Sequence, residues 1–201
     1  MTFDLIVIAL VGVLLLFGIY TAYQVLGRFP KRTSDDVTQF LRPAEPEELE
    51  SLLDPGEETA FRLRMAPREF AAWQRKRIHL MREYLLRMSH NALVLIEWGN
   101  MEADNGDSEQ IRCSQRQLLA RELVQAATEF RLYSMLALAK LTLWLTLPPP
   151  FKFLFPSPSL PSLRSIFGIS ALGSYQRLKS AASGLSLTCD SNFHRELLER
   201  L

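Results

Sequence analysis

The apolar residues of this 201-residue chain fall into three zones with different spacing. Residues 5–23 form an unbroken apolar run, and residues 67–147 carry apolar positions at intervals of three or four. Residues 148–201 mix prolines, serines and aromatic residues with short periodic stretches. Because intervals of three and four place side chains on one face of a helix, the pattern predicts an all-α chain.

The run over 5–23 predicts a single transmembrane helix. It holds no charged residue, and nineteen residues span about 28 Å, close to the hydrocarbon core of a bilayer. A cleaved signal peptide fits less well, because Asp4 stands where a basic segment is expected and no small-residue cleavage pair follows. We therefore expect an uncleaved anchor over 1–27, in which Gly18 and Ala22 are the candidate contact for another membrane helix.

Basic residues follow this helix directly, and none precedes it. The positive-inside rule then places the amino terminus outside and residues 28–201 in the cytoplasm. In that compartment Cys113 and Cys189 are expected to be reduced thiols. The basic residues that set this orientation are Arg28, Lys31 and Arg32.

Residues 28–66 are predicted to form an acidic linker with short helical pieces. Four prolines interrupt it before residue 56, and nine acidic residues solvate it. One short helix is expected to begin with Pro46 at its first position. The Asp54-Pro55-Gly56 sequence is typical of a turn and is expected to end that helix.

The hairpin prediction rests on an absence of proline between Pro67 and Pro148. This stretch is rich in Leu, Ala, Arg, Gln, Glu and Met, which favour helix. Its one clear break is the cluster of turn residues over 104–108. The sequence therefore predicts an antiparallel helical hairpin over 67–147 with coiled-coil-like packing, its helices spanning about 68–103 and 109–147.

The expected core of the hairpin follows the same periodicity. Antiparallel pairing about the turn brings Leu95 opposite Leu118. The first helix is expected to bury Phe70, Trp73, Met81, Tyr84, Met88, Ala92 and Leu95. The second is expected to bury Leu119, Leu123, Ala126, Phe130, Tyr133, Ala137 and Trp144, with Lys140 at one position of the series.

Residues 148–201 are predicted to form a partly irregular tail that is rich in proline and serine, basic and hydrophobic. Six prolines between 148 and 161 exclude a continuous helix there. One short amphipathic helix is expected over 163–184, and a second is expected to begin near Ser191.

The net charge of +1 hides strong segregation along the chain. Residues 62–87 carry +6, and residues 130–189 contain six basic residues and no acidic one. A basic, aromatic segment suits the surface of an anionic leaflet, so residues 136–180 are expected to touch lipid headgroups. There are two alternatives. The apolar surface of this segment packs on a third helix or on a partner protein, or residues 132–147 form a second membrane span. The candidate interface residues are Lys140, Phe151, Lys152, Phe153 and Phe155.

Partner contacts are expected from aromatic residues and arginines, which dominate interface energetics. The alternative for the arginine-rich stretch 62–87 is a solvated helix face. Nucleic acid is not an expected partner, because the chain lacks a net basic excess. The candidate contacts are Trp73, Arg75, Arg77, Trp98 and Trp144.

No motif of catalysis, metal binding or cofactor binding occurs in the sequence. Glu-x-x-His and His-Glu-x-x-His are absent, as are Gly-x-Ser-x-Gly and the glycine patterns of nucleotide loops. Two cysteines are too few for a four-cysteine zinc site, and Cys113 is expected to be structural. We therefore expect no metal and no cofactor.

These features favour a membrane-anchored, non-catalytic scaffold, accessory subunit or assembly factor. It would act through hairpin and tail contacts at the cytoplasmic face of the membrane, with a protein partner or by self-association. Two alternatives are a small membrane-associated enzyme or regulator with an unrecognised site, and a homo-oligomeric structural membrane protein.

Overall fold

The fold is known from a computed structural model that describes residues 34–44, 48, 51–104, 111–146 and 163–201. Within these residues there are six α-helices and no strand, which confirms the predicted all-α fold. No helix in the described part of the chain has both the length and the apolar character needed to cross a membrane. The predicted anchor, with Gly18 and Ala22, lies outside the described residues.

All described helices belong to the compact unit Lys31–Leu201. The two longest correspond to the predicted hairpin, and the last two occupy the predicted tail. In chain order the helices are α1 Ser34–Phe40, α2 Pro55–Arg64, α3 Pro67–Asp104, α4 Ile111–Thr146, α5 Leu163–Ser186 and α6 Ser191–Arg200.

The Asp54-Pro55-Gly56 sequence begins a helix, whereas we expected it to end one. The Asp54 side chain accepts a hydrogen bond from the Gly56 amide at 2.9 Å and caps α2. Pro55 is the first residue of the helix, and Glu57 and Glu58 lie in its first turn. Asp and Pro favour turns and helix starts for the same local reasons, so the dipeptide alone does not decide between them.

Helices α3 and α4 pack along one another as an antiparallel pair. Near the connected end the Gln117 side-chain amide donates to the Ala103 carbonyl at 3.3 Å. Each helix contains a series of buried residues at alternating intervals of three and four, which is coiled-coil spacing, and both helices bury further residues outside this series. The buried series on α3 is Gln74, Ile78, Met81, Leu85, Met88, Ala92, Leu95, Gly99 and Glu102. The series on α4 is Ala120, Leu123, Ala127, Phe130, Ser134, Ala137 and Leu141.

The predicted register and half of the predicted α4 core are wrong. Leu118, which was predicted to lie opposite Leu95, is 66% exposed. Its neighbour Gln117 contacts Ala103, so the start of α4 lies beside a later part of α3 than predicted. On α4 the buried positions include Ala120 and Ala127, one residue after the predicted Leu119 and Ala126. The reason is that α4 has two neighbours. Phe130 packs on Tyr175 of α5, whereas Leu123 and Val124 lie beside Gly99 of α3.

Gly99 marks the closest approach of α3 and α4. A β-carbon added there would lie 2.8 Å from Val124 Cγ2 and 3.2 Å from the backbone oxygen of Ala120. A side-chain methyl can move, but the backbone of a helix cannot without shifting the whole element. The contact therefore requires a residue without a β-carbon.

This contact reverses the usual effect of replacing a helical glycine. Gly99→Ala is expected to destabilise the fold by about 1–3 kcal/mol through overpacking. Gly173→Ala on α5 is the matched control, because nothing lies within 4 Å of an added β-carbon there. That change is expected to stabilise by about 0.5–1 kcal/mol. Urea unfolding of both variants followed by circular dichroism tests the prediction, and stabilisation by both would contradict it.

Helix α5 covers the second side of α4, and α6 returns across the bundle. The Phe130 and Tyr175 ring centroids are 5.1 Å apart, and Leu178, Ala182 and Leu185 of α5 are buried. Of the segment 136–180, Tyr175 and Leu178 are thus buried within the bundle, in agreement with the alternative that this segment packs on another helix.

The chain directly after α1 is held on α3 by the Asn91 side chain. Asn91 is fully buried, and its amide donates to the Arg42 carbonyl at 2.7 Å while its oxygen accepts from the Arg42 amide at 2.8 Å. Two residues before Arg42, the Phe40 carbonyl oxygen lies 3.1 Å from the Nε2 atom of His90. Part of the predicted linker is therefore a fixed layer of the bundle.

Tyr175 links α5 to the last residue of the described chain. Its hydroxyl donates to the Leu201 carbonyl at 2.8 Å, and burial raises the pKa of Tyr175 to about 12, although a hydrogen bond with Asn91 opposes the shift. The folded state thus disfavours the phenolate that the unfolded chain forms near pH 10.

This shift predicts a loss of stability at high pH. A pKa raised by folding contributes stability that is complete below pH 10.0 and is lost as the pH rises toward about 12. The loss is expected to reach roughly 2–3 kcal/mol. Tyr175→Phe removes the ionisable group, so its unfolding free energy should fall less over the same window. Equal pH dependence of the two proteins would refute the assignment.

Candidate functional site

Arg77, a predicted partner contact, lies inside the fold where α2 meets α3. Its guanidinium is 3% exposed and donates to the carbonyls of Leu52 and, at 3.1 Å, Asp54. The Glu58 carboxylate lies 4.0 Å away. Burial lowers the pKa of Arg77, and the negative charge of Glu58 opposes that shift. Arg77 therefore fixes the chain before α2 onto α3.

Trp73 lies beside Arg77 and is half-buried in an aromatic cluster. The Arg77 guanidinium carbon lies 5.0 Å from the centre of its ring, and the Phe61 ring centroid is 4.8 Å away. The Phe70 ring lies 5.7 Å from the Trp73 ring. These contacts explain the position of Trp73 by packing within the chain.

Trp98, another predicted contact, is fully buried near the connected end of the hairpin. Its indole nitrogen donates to Glu102 Oε1 at 3.1 Å, and the other oxygen of Glu102 accepts from Arg116 at 2.8 Å. The Phe193 ring packs edge-on at 5.2 Å. Arg116 also donates to the Cys189 sulfur at 3.4 Å. This cluster joins α3, α4 and α6.

Two kinds of chemically reactive side chain in the described residues have defined surroundings. Ser186 Oγ lies 2.7 Å from His194 Nδ1, and it donates to the Ser183 carbonyl at 2.9 Å; Ser186 is fully buried and His194 is half-buried. Burial raises the pKa of the Cys189 thiol, with the Arg116 charge opposing, so thiolate formation is disfavoured. Among the described residues no group of three or more His, Cys, Asp or Glu side chains is placed to hold a metal ion.

The outer face of α3 carries a line of exposed, mainly basic residues, which we call the basic stripe. Its members recur at intervals of three and four, and they lie on the side of α3 that faces away from α4. Arg75, a predicted partner contact, is one of them. The basic stripe consists of Arg68, Ala72, Arg75, His79, Arg82 and Leu86, all exposed.

A groove of about 550 Å³ lies between α4 and α5, and we call it the acidic groove. Glu122 and Glu129 line it from α4, and Arg177 of α5 lies 3.9 Å from Glu129. The groove is open because several of the residues that line it, Ala126, Ala181 and Gly184, have small side chains or none. The residues lining it are Leu119, Glu122, Gln125, Ala126, Glu129, Arg177, Ser180, Ala181 and Gly184.

Exposed leucines extend the acidic groove along the outer face of α4. Leu118 is 66% exposed, Leu132 54% and Leu136 49%, and Lys140 follows one turn later, also exposed. With Glu122, Gln125 and Glu129 they recur at intervals of three and four, so they form one stripe. A leucine stripe interrupted by carboxylates is typical of a helix face that binds another helix.

The remaining predicted contact and interface residues fall outside what the structure describes. Trp144 lies in the last turn of α4, and its side chain is not described. Phe151, Lys152, Phe153 and Phe155 lie between the described ranges. The sequence reasoning did not find the acidic groove, because the positions of Glu122 and Glu129 become meaningful only when the buried face of α4 is known.

Comparison with known proteins gave no assignment: no family model, no curated protein and no solved structure matches this chain.

Proposed function

We propose that this protein is a membrane-anchored scaffold without catalytic activity that presents a helical bundle at the cytoplasmic face. The observation that carries the proposal is that the charged side chains of the described bundle fall into two sets, one buried and one exposed. Its buried charged groups hold the bundle together, whereas the basic stripe and the acidic groove face outward. Exposed charge and leucine on rigid helices suit binding of a partner.

The membrane anchor in this proposal rests on the sequence. Residues 5–23 are uncharged and long enough to cross a bilayer, and three basic residues follow by position 32. Tethering raises the effective concentration of the bundle for any partner at the same membrane. Lys140 and residues 151–155 would add contacts with anionic headgroups.

Membrane fractionation of cells that express the full chain tests the anchor. The protein is expected to stay in the membrane pellet in high salt and in alkaline carbonate and to be released by detergent. A variant with Leu14→Arg and Leu15→Arg should appear in the soluble fraction, because two charges at the centre of a span are costly. A matched variant with Thr2→Arg should stay in the pellet. Release of the unaltered chain by salt alone would refute an anchor.

A homo-oligomeric structural protein is the second candidate function. One specific observation favours it: the same chain carries an exposed basic stripe and an exposed acidic groove on different helices. The basic stripe of one copy can therefore contact the acidic groove of another copy.

A further inference from the structure

We propose that the basic stripe of one copy docks in the acidic groove of a second copy, so that the protein assembles head to tail. This inference rests on the proposed scaffold function and names its partner as another molecule of the same chain. The two faces belong to different helices, so the contact is heterologous. It closes into a ring or continues as an open chain of subunits.

Matched charge spacing is the first support for this contact. Arg75 and Arg82 are seven residues apart on α3, and Glu122 and Glu129 are seven residues apart on α4. Seven helical residues advance by about 10.5 Å, so both pairs present their charges at the same separation. All four residues lie at the surface, with Glu129 half-exposed. Two ion pairs can therefore form at once between two rigid helices.

The neighbouring positions on each face agree with the same pairing. Antiparallel alignment that joins Arg82 with Glu122 and Arg75 with Glu129 places His79 beside Gln125. Leu86 then meets Leu118, and Ala72 meets Leu132. The sixth position places Arg68 beside Leu136. Both helices carry these six residues at intervals of four, three, four, three and four, so the register is kept from end to end.

The shape of the acidic groove allows close approach of a helix. Ala126, Ala181 and Gly184 line it, and an added β-carbon at Gly184 would touch only Leu119 Cδ2, at 3.7 Å. Small residues at such a seam let two helices pack closely. The arginine side chains of the stripe can then cross the groove to reach both carboxylates.

Other charged groups near the contact do not prevent it. Arg177 lies 3.9 Å from Glu129, but its side chain is 76% exposed, so this ion pair is solvated and weakly held. Beside the stripe, Lys76 adds a positive charge, and Glu83 pairs with Arg87 on the same helix. Exposed Glu69 lies next to Arg68, and exposed Arg121 lies next to Glu122. The stripe remains net basic, and the lining of the groove carries two carboxylates and one guanidinium.

A second copy explains more of the surface than a lipid bilayer does. Anionic headgroups would suit the basic stripe, but they would leave the acidic groove uncovered. A partner that satisfies both faces must carry a basic helix and an acidic groove. This chain carries both.

Charge reversal in the full chain, purified in detergent, tests the proposal by sedimentation velocity. The unaltered protein is expected to form concentration-dependent oligomers. Arg75→Glu with Arg82→Glu, or Glu122→Arg with Glu129→Arg, should each raise the apparent dissociation constant by about tenfold or more, because like charges then face each other. Mixing the two double variants restores opposite charges at every contact, so it should restore oligomers.

Two control variants carry the same changes of charge at other exposed sites: Arg64→Glu with Arg195→Glu, and Glu196→Arg with Glu199→Arg. They should associate like the unaltered chain. Three results would overturn the proposal: a monomer at every concentration, equal effects of the control and test variants, or no recovery on mixing. If Arg75→Glu with Arg82→Glu lowers binding to phosphatidylserine vesicles but not oligomerisation, the stripe binds lipid instead. None of these outcomes alters membrane fractionation, which tests the anchor separately.

Discussion

Replacing Trp98 with alanine is expected to lower the free energy of unfolding by about 3–5 kcal/mol. The side chain is fully buried, so the change opens a large cavity between α3 and α6 and removes the edge contact with Phe193. It also removes the indole donor to Glu102, a carboxylate that is itself only 4% exposed. Chemical unfolding of the full chain in detergent, followed by far-ultraviolet circular dichroism, measures the effect.

Trp98→Phe separates packing from hydrogen bonding at this site. Phenylalanine keeps most of the buried ring but has no donor for Glu102, so the expected loss is about 1–3 kcal/mol. Arg116 still pairs with that carboxylate at 2.8 Å, which limits the penalty. If the alanine and phenylalanine variants were equally stable, packing at Trp98 would not be the main contribution, and the cavity argument would be wrong.

Arg77→Ala is expected to release the chain around α2 from the bundle. The change leaves the carbonyls of Leu52 and Asp54 without their donor and Glu58 without its neighbouring positive charge. Breaking a buried charged contact of this kind costs about 3 kcal/mol. Hydrogen exchange of the backbone amides over 51–64 is expected to accelerate by roughly a hundredfold, while that of 120–141 stays near its original rate.

Arg75→Ala is the matched control for this prediction. It removes the same type of side chain only two residues away, from an exposed position. Its effect on unfolding should stay within about 0.5 kcal/mol. The two variants separate an effect on the fold from an effect on binding. If Arg77→Ala weakens binding to a partner, faster hydrogen exchange over 51–64 should accompany that loss, whereas Arg75→Ala should leave the exchange rates unchanged. Similar exchange rates in the two variants would show that Arg77 does not hold α2 in place.

The hairpin was predictable because its evidence is local. Eighty residues without proline, helix-forming composition and one cluster of turn residues each act through the backbone near them. The helices observed, Pro67–Asp104 and Ile111–Thr146, occupy the stretch in which two long helices were predicted. The helix beginning at Pro55 was missed, since Asp54 and Pro55 suit a turn and a helix start equally well.

The buried faces were only partly predictable because α4 packs on two helices. Its apolar residues cover both the face toward α3 and the face toward α5, so two adjacent series with three-four spacing fit the sequence. The predicted series followed Leu119 and Ala126, whereas Ala120 and Ala127 face α3. The acidic groove is lined by the side of α4 that is not buried against α3. It could not be predicted before the buried side of α4 was known.

The sequence by itself determined the all-α class, the long hairpin and the uncharged run over 5–23, because helix propensity, proline and charge act locally. Only the tertiary structure decided which of two similar residues is buried. Arg75 and Arg77 are two positions apart, and helical geometry turns their side chains to nearly opposite sides, so one lies in the basic stripe and the other inside the fold. The need for glycine at position 99 is also set by the tertiary structure, because α4 packs so close to α3 there that a β-carbon has no space.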